Sequence, residues 1–482
     1  MTPPAPRLTA SYEAPTAGFP AVSQLLLGRL ADGFPPAVAI RVCTSERLVY
    51  AAAGGWARLA DAGFPEPVPA DAETLFDLAS LTKVVATLPL VLLLHQRGRW
   101  SIDDAIARWL PGAPRSPVTI SQCLLHVAGL VPHRPFYATC ADPAEIRRAV
   151  TAELADAVPG QVSYSDLGFM LLGWAVEECA NEPLEELTVR EVLGPLGMTS
   201  ASYRPRVPLR RIAATEADGD QRTGSGVVWG SVHDGNAFAL GGVSGHAGLF
   251  GTAADLGRFA SALLAPDRHP VLSAKTLELM TARQAGAGAQ ARVLGWRLRP
   301  EAWGDWPDGT IWHTGFTGTS LLIAPALDVA VVLLSNAVHP VRRLDQIGAF
   351  RAGVHWAVRD AVGLSGNGIS RCGVSGSRSS GAQQSSARGS AGALAGAAGA
   401  AGRRGWSPGQ YGPGIDRCLF LGHGGHRQPS MCNGGARWAS RGLTSCVSGS
   451  GTGTPRQPGR SWSRSRGRPG AVTALGAAAR KR

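Results

Sequence analysis

The feature that most constrains the fold is an apolar stretch at residues 84–94, in which Thr87 is the only polar residue. Apolar side chains on every face predict a helix that is surrounded by protein. The stretch is too short to span a bilayer, so we expect a large protein core to enclose it. The helix is expected to end near Gly98, because glycine suits a helix C-cap.

Ser80 and Lys83 stand at the start of this stretch, three residues apart, so on a helix their side chains share one face. A lysine whose pKa is lowered by desolvation can act as a base and make a serine nucleophilic. The chain has only three lysines among its 47 basic residues, and arginine cannot release its proton as lysine can. Position 83 is therefore predicted to need a titratable cation. The alternative is a structural lysine paired to a carboxylate.

The composition changes sharply after residue 364. Residues 365–482 contain 27 glycines and 17 Lys or Arg residues but a single acid, Asp416, whereas residues 1–364 contain 30 basic and 34 acidic residues. The net charge of +12 therefore belongs to this tail. Its Gly/Ala/Arg/Ser bias is typical of a disordered segment, and a frameshift in a GC-rich coding sequence would produce the same bias. An arginine-rich arm that contacts nucleic acid is the third interpretation.

Residues 1–364 are long enough to bury a large core, and we expect them to form the folded domain, in two lobes. Runs rich in β-formers lie near both ends of this region, at 37–42, 47–53, 310–323 and 329–335. Helical patterns occupy 22–30, 119–126, 143–157, 167–180, 253–264 and 345–362.

This distribution predicts an α/β (α+β) fold, in which both ends of the region build one antiparallel sheet flanked by helices. The sheet-bearing lobe is expected at about 20–100 plus 295–364, and an inserted, mostly helical lobe at about 101–294. Ser80 would begin its helix where the two lobes meet.

Two further features favour a cytoplasmic protein. The first seven residues contain no apolar segment, so no secretory signal is predicted. Eight cysteines show no zinc-ligand spacing, and the four that precede the tail are expected to be reduced core thiols. These four are Cys43, Cys123, Cys140 and Cys179.

A second constellation, Ser163-Tyr164-Ser165-Asp166, stands just before an apolar helix. A tyrosine near a cation can shuttle protons, so Tyr164 is a candidate for acid–base catalysis. The alternative is a loop tyrosine that covers the start of the helix.

A third constellation, Ile311-Trp312-His313-Thr314-Gly315-Phe316-Thr317-Gly318, lies on the predicted strand near the end of the folded region. Small residues there would allow a substrate to lie along the strand, and a backbone N–H could face its reacting carbonyl. The alternative is a strand with a bulge.

Taken together, the three constellations resemble those of the serine β-lactamases, the penicillin-binding DD-peptidases and their esterase relatives. The chain is most similar to the class C β-lactamase-related serine hydrolases, in their esterase-like branch, over roughly residues 20–362. Supporting stretches are Leu124–Leu130, Gly245–Phe250 and Leu333–Asn336.

The resemblance implies a role for each residue. Ser80 would be the acylated nucleophile, Lys83 its activating partner, and Tyr164 the group that exchanges protons with Ser80 and the leaving group. Whether Lys83 or Tyr164 takes the first proton stays open. The backbone N–H groups of Ser80 and Phe316 would form the oxyanion hole.

Two departures from the family pattern bear on the substrate. Asp166 stands where the β-lactamases and peptidases carry asparagine, and His313 stands where they carry the lysine of Lys-Thr-Gly. A neutral imidazole lacks the charge that holds a substrate carboxylate, and Asp166 would repel one. With Thr314 and Gly315, these residues are expected to bind a small neutral ester or amide.

The leading hypothesis is therefore a serine hydrolase, acting as an esterase or amidase through an acyl-enzyme, without cofactor or metal. A β-lactamase or D-amino-acid peptidase is the alternative enzyme, and a catalytically silent binding protein with a nucleic-acid-contacting tail is the alternative from another class. The expected partner is a small ester, amide or lactam and not a membrane; the oligomeric state stays open. No metal is expected, because the histidines lack ligand spacing: His126, His133, His233 and His246.

Overall fold

The computed structural model describes residues 8–10, 18–217 and 226–364. The strands are β1 (Leu8–Ala10), β2 (Ala37–Cys43), β3 (Leu48–Arg58), β4 (Val68–Pro69), β5 (Phe76–Asp77), β6 (Ser202–Tyr203), β7 (Leu249–Gly251), β8 (Gln284–Ala285), β9 (Arg292–Val293), β10 (Arg297–Leu298), β11 (Ile311–Thr314), β12 (Ser320–Ala324) and β13 (Val329–Ser335).

The α-helices are α1 (Pro20–Ala31), α2 (Leu88–Gln96), α3 (Ile120–Leu124), α4 (Phe136–Thr139), α5 (Pro143–Ala152), α6 (Asp166–Ala180), α7 (Leu184–Thr188), α8 (Gly235–Ala239), α9 (Ala253–Leu264), α10 (Ala274–Ala282) and α11 (Leu344–Leu364).

The main sheet is antiparallel and draws its strands from both ends of the described chain. Its order is β1-β3-β2-β13-β12-β11-β10-β9-β8, with β4 paired to β3. The central pair joins β2 to β13, so that Ala37–Cys43 near the start meets Val329–Ser335 near the end. The predicted fold class is therefore confirmed.

Both faces of the sheet are buried, and β13 shows why its sequence is apolar throughout. Alternate residues of a strand point to opposite faces. Val331 and Leu333 pack with helices α1 and α11 on one face, whereas Val332 and Leu334 belong to the larger core on the other. Every residue of β13 is buried.

The other face of the sheet is covered partly by α9, which contacts β2 and β13. Its predicted bounds, 253–264, match the structure, and Thr252 and Asp255 form its capping box. Helix α9 and strands β8 and β9 fall within the range expected for the inserted lobe, yet they lie on or in the sheet. Periodicity shows that a helix has an apolar face but not which element covers it.

Two local expectations need correction. The predicted strand 310–323 is two strands, β11 and β12, because the residues between them turn. The sequence Ser101-Ile-Asp-Asp104 has the pattern of a capping box and predicts a helix start, but the segment after it forms a turn and a short 3₁₀-helix at Ile106–Trp109. Gly98 ends the apolar helix as expected, with a positive φ of 67°.

The apolar stretch is enclosed as predicted, since residues 84–94 are all buried. Lys83–Thr87 is π-helical and runs into α2. The four cysteines of the described region are free, and no helix in that region is both long and apolar enough to cross a bilayer. The predicted tail, 365–482, lies outside the described residues.

Candidate active site

Ser80 follows a tight turn between β5 and the apolar helix. Ala79, just before it, has a φ of +47°, a conformation that residues other than glycine rarely adopt. The buried carboxylate of Asp77 holds the turn, because its Oδ1 accepts a hydrogen bond from Ala79 N at 2.8 Å and its Oδ2 one from His233 N at 2.7 Å. Such a backbone conformation persists only where the surroundings impose it, as they do here.

Lys83 lies at the centre of the site and is fully buried. Its Nζ donates hydrogen bonds to Ser80 Oγ at 2.9 Å, to Asp166 Oδ1 at 2.8 Å and to the backbone carbonyl of His246 at 3.1 Å. Three acceptors match the three protons of an ammonium group. The side chain is therefore placed to act on Ser80 while Asp166 balances its charge.

The ion pair decides the protonation of both partners. Burial lowers the pKa of Lys83, but Asp166 and Tyr164 more than offset this effect and raise the pKa above its ordinary value. Burial raises the pKa of Asp166, but Lys83 and His133 lower it well below its usual range. The resting site thus holds an ammonium and a carboxylate, and the counterion offsets the desolvation that could otherwise make Lys83 a base.

Tyr164 lies beside this pair, just before α6. Its ring centroid is 5.1 Å from Lys83 Nζ, and its ring stacks on that of His126 with centroids 4.5 Å apart. The Nδ1 of His126 accepts a hydrogen bond from Ser165 N at 3.0 Å. His126 therefore positions both the tyrosine ring and the segment that carries it.

The turn between β11 and β12 packs directly on the chain that leads to Ser80. Thr317 Oγ1 donates to the carbonyl of Asp77 at 2.7 Å, and Thr319 Oγ1 donates to that of Leu78 at 3.2 Å. A Cβ on Gly315 would lie 2.5 Å from the Leu78 oxygen, so only glycine allows this approach. These contacts hold the turn that contains Phe316 against the segment that precedes Ser80.

His313, on β11, is buried and uncharged. Its Nδ1 lies 2.9 Å from the carbonyl of Thr314, which can only accept, so Nδ1 carries the proton. Burial, then Lys83 and Arg292, lower its pKa well below the ordinary value. Its ring centroid is 6.1 Å from that of Tyr164. The position thus lacks a positive charge, as the sequence predicts.

One group among the described residues has the chemistry of metal ligands. His133, Asp166 and Asp234 each place a ligand atom within 4.8 Å of the others. Both carboxylates already have a cationic or hydrogen-bonding partner, since Asp166 pairs with Lys83 and Asp234 Oδ1 lies 2.9 Å from His246 Nε2. Side chains of the protein therefore already compensate the negative charge of both carboxylates.

The structure brings the predicted residues to one place, although they come from three distant segments. Ser80, Lys83, Tyr164 and Asp166 meet at the start of the apolar helix, and His313 lies beside Tyr164. Asp166 is the counterion of Lys83. Its negative charge is therefore balanced, and the repulsion of a substrate anion that the sequence suggested is weakened.

Sequence reasoning did not single out Asp77, Thr317, Thr319 or Arg292. The first three act through the turn around Ser80. Thr317 lies within the third constellation and Thr319 one residue beyond it, so their position along the chain could have drawn attention to them. Arg292 shows no local sequence signal, because nothing in its surroundings separates it from the chain's many other arginines.

An antiparallel sheet beside a helix that begins next to a serine hydrogen-bonded to a buried lysine is an arrangement expected of a serine hydrolase. Comparison with known proteins identifies the family. The sequence model described as Beta-lactamase matches residues 23–353, and the chain belongs to this family of serine hydrolases.

Two curated relatives are similar over most of their length. One is the Escherichia coli K12 protein named "Putative D-alanyl-D-alanine carboxypeptidase", 32% identical over 63% of this chain and 79% of the relative. The other is the Bacillus subtilis protein named N-acetylmuramyl-L-alanine amidase, 31% identical over 66% of this chain and 80% of the relative.

A solved structure shows the same fold. The octameric penicillin-binding protein homologue from Pyrococcus abyssi is 20% identical, with a TM-score of 0.55 over 71% of this chain and 77% of its own.

Proposed function

We propose that this serine hydrolase works through an acyl-enzyme on Ser80 and cleaves a small ester or amide. The observation that carries the proposal is the 2.9 Å contact between Ser80 Oγ and Lys83 Nζ in a buried site. A structural lysine needs only its counterion, which Asp166 supplies. The additional contact with a serine beside a strained turn supports catalysis.

In the first step a bond forms between Ser80 Oγ and the substrate's carbonyl carbon, and the bond from that carbon to the leaving oxygen or nitrogen breaks. The proton of Ser80 passes to the leaving group. Water then attacks the ester of Ser80, releases the acid and returns a proton to Ser80.

The proton is expected to travel through Tyr164. Lys83 is an ammonium in the resting site and already donates to Ser80 Oγ, so it has no lone pair with which to accept the serine proton. Tyr164 lies next to Lys83 and also carries an exchangeable proton. In this scheme Lys83 orients Ser80 Oγ and stabilises negative charge that develops on it.

The oxyanion would be bound by the backbone N–H groups of Ser80 and Phe316. The hydrogen bonds from Thr317 and Thr319 to the Ser80 segment support this pairing, because they hold the two stretches of backbone together. One such donor contributes on the order of 3 kcal/mol to the stability of the transition state.

The leading substrate candidate is a neutral ester or amide. Its support is His313, which supplies no positive charge at the position where the peptidases carry lysine. The second candidate is a carboxypeptidase substrate, a peptide that ends in a D-amino acid. Its support is the name of the Escherichia coli relative.

The proposal is tested by Ser80→Ala in an assay of intact mass after incubation with a fluorophosphonate. We expect one adduct on the unmodified protein and none on the variant. Turnover of p-nitrophenyl esters should fall by about 10⁴-fold or more. Far-UV circular dichroism should match that of the parent protein. An adduct that persists in Ser80→Ala would refute the nucleophile assignment.

A further inference from the structure

The aromatic ring of Phe316, whose backbone N–H is the second proposed oxyanion donor, contacts two side chains from distant segments. The ring of His233 stacks on it, with centroids 5.3 Å apart and planes inclined by 19°. The Cζ of Arg342 lies 5.1 Å from the same ring centroid. Phe316 is only half-buried, so packing in the core does not by itself fix its position.

A single carboxylate, that of Glu216, binds both of these side chains. Its Oε2 lies 2.8 Å from Nε2 of His233, and its Oε1 lies 2.6 Å from Nε of Arg342. Burial raises the pKa of Glu216, but the bonds to His233 and Arg342 outweigh burial and lower the pKa below its ordinary value. The carboxylate is therefore ionised at neutral pH, and the histidine Nε2 carries the proton that it accepts.

The backbone around Glu216 is held in place as well. The carbonyl of Glu216 accepts a hydrogen bond from Val228 N at 2.9 Å, and Ala217 N donates to the carbonyl of Pro340 at 2.7 Å. Pro340 precedes Arg342 by two residues, so this bond also keeps the arginine close to the carboxylate. Glu216 is thus a fixed point for the two groups that contact the ring.

His233 connects this arrangement to the nucleophile. Its backbone N donates to Asp77 Oδ2 at 2.7 Å, and Asp77 Oδ1 accepts from Ala79 N at 2.8 Å, in the turn just before Ser80. The same histidine therefore contacts the Phe316 ring and the carboxylate that holds the turn. The ring gains a fixed position relative to the serine.

The peptide unit that carries the Phe316 N–H is held at its other edge. Arg351, on α11, donates a hydrogen bond from Nη2 to the carbonyl of Gly315. This carbonyl and the Phe316 N–H belong to one planar, trans peptide unit and point to opposite sides of it. Arg351 therefore restrains one edge of the unit, and the anchored Phe316 side chain restricts its rotation from the other end.

We propose that Glu216 is a positioning residue for the oxyanion hole: it fixes the ring of Phe316 and thereby the direction of that residue's backbone N–H. His233 and Arg342 transmit the effect. Such a donor lowers the barrier only if it is already aimed at the developing negative charge, and a small displacement is costly. This inference rests on the proposed function and deepens it, because it adds a residue that acts on the reaction only through Phe316.

The test compares p-nitrophenyl acetate with its thionoester, in which sulfur replaces the carbonyl oxygen. Sulfur is a weak hydrogen-bond acceptor, so the thionoester gains little from the oxyanion donors. For the full-length protein, Glu216→Ala should lower kcat/KM for the acetate by about ten- to a hundredfold and that for the thionoester far less. The fraction of protein that a fluorophosphonate labels at Ser80 gives the concentration of active enzyme, so a loss of folded protein does not change the ratio of the two esters.

A double-mutant cycle tests the route through the ring. Phe316→Ala keeps the backbone N–H but removes the ring, so it should lower the ester ratio much as Glu216→Ala does. In the Phe316→Ala background, Glu216→Ala should then have little further effect on the ratio. Glu216→Gln, which keeps the shape and one acceptor but not the charge, should lose less than Glu216→Ala. It decides the question through the same ratio should Glu216→Ala fail to fold.

Glu191→Ala is the matched control. Glu191 is exposed to a similar extent (16%, against 24% for Glu216), and it also binds two cationic side chains, Arg97 at 2.6 Å and Arg190 at 3.0 Å. Neither of them contacts a residue of the proposed site. Its variant should keep the ester ratio of the parent protein.

Three outcomes would overturn the inference: a parent ratio in the Glu216 variants, an equal loss for both esters, or additive effects of Glu216→Ala and Phe316→Ala on the ratio. The first would show no influence on the oxyanion hole, the second a purely structural role, and the third a route that bypasses the ring. Failure of the proposed function looks different. A parent protein that a fluorophosphonate does not label would refute the acyl-enzyme. A parent protein whose ester ratio equals that of hydroxide-catalysed hydrolysis would refute the oxyanion hole.

Discussion

Two buried cations flank Tyr164, and they differ in what balances their charge. Lys83 Nζ is 5.1 Å from the ring centroid and has Asp166 as its counterion at 2.8 Å. Arg292 Cζ is 5.6 Å from the same centroid and pairs with no carboxylate of the described chain. The protein itself offsets the desolvation cost of Lys83 with a carboxylate, whereas that of Arg292 is not offset by any carboxylate of the described residues. Two cations at similar distances from one tyrosine therefore differ in how much their burial costs the folded protein.

Lys83→Arg should have the largest effect on the catalytic cation. In the proposed scheme Lys83 orients Ser80 Oγ as an ammonium, and the larger guanidinium does not fit a site in which Lys83 is fully enclosed, so Ser80 and Tyr164 should be displaced. We expect kcat for p-nitrophenyl esters to fall by about 10²-fold or more, because a displacement of about 1 Å in a catalytic site can cost that much. Steady-state kinetics measures this. Activity close to that of the parent protein would mean that position 83 needs only a positive charge and not the geometry of the ammonium.

Asp166→Asn should convert Lys83 into an unbalanced cation like Arg292. Removing one partner of a buried ion pair destabilises a protein by roughly 3–5 kcal/mol. We expect the free energy of unfolding at pH 7 to fall by an amount near the lower end of this range, because the Asp166 side chain is 18% exposed. Urea denaturation measures it.

The pH dependence of that variant gives a second measurement. Without Asp166, burial should bring the pKa of Lys83 in the folded protein below its pKa in the unfolded chain. At pH values between these two pKa values, the unfolded state then binds more protons than the folded state. Stability should therefore rise with pH through this alkaline window. In the parent protein the pKa of Lys83 is raised, so the lysine contributes stability that is lost as pH rises through that value. A variant with the parent's pH dependence would contradict the ion-pair account.

Gly315→Ala should disturb the nucleophile while leaving both cations in place. The added Cβ would lie 2.1 Å from Thr319 Oγ1 and 2.5 Å from the Leu78 oxygen, forcing the β11–β12 turn away from Ser80. We expect about 1–3 kcal/mol of lost stability and a lower kcat/KM for p-nitrophenyl esters. Gly28→Ala in α1 is the control, because its Cβ would meet no atom within 4 Å. Stability and kcat/KM equal to those of the parent protein in Gly315→Ala would contradict the close packing of the turn on the Ser80 segment.

Elements with strong local patterns could be predicted from the sequence. Helix α9 and strand β13 match their expected bounds because a capping box marks the start of the first and an uninterrupted β-branched and aliphatic run defines the second. The turn at Gly315 was missed because small residues are compatible with both a strand and a turn, and contact with Leu78 decides between them.

Within the site, the spacing of Ser80 and Lys83 made their contact predictable, because residues three apart on a helix share a face. The protonation of Lys83 was not predictable. It depends on Asp166, 83 positions away, and only the packing of α6 against the apolar helix sets that distance.

By itself, the sequence determined which residue types were present and which of them were neighbours along the chain. This was enough for the fold class, the family and the pairing of serine with lysine. The tertiary structure decided which charges are balanced. Coulomb energy and desolvation depend on distance and burial, and both are set by contacts between segments far apart in sequence. Asp166 and Arg292 look like ordinary charged residues in the sequence, and only the fold makes one a counterion and leaves the other without a counterion among the described residues.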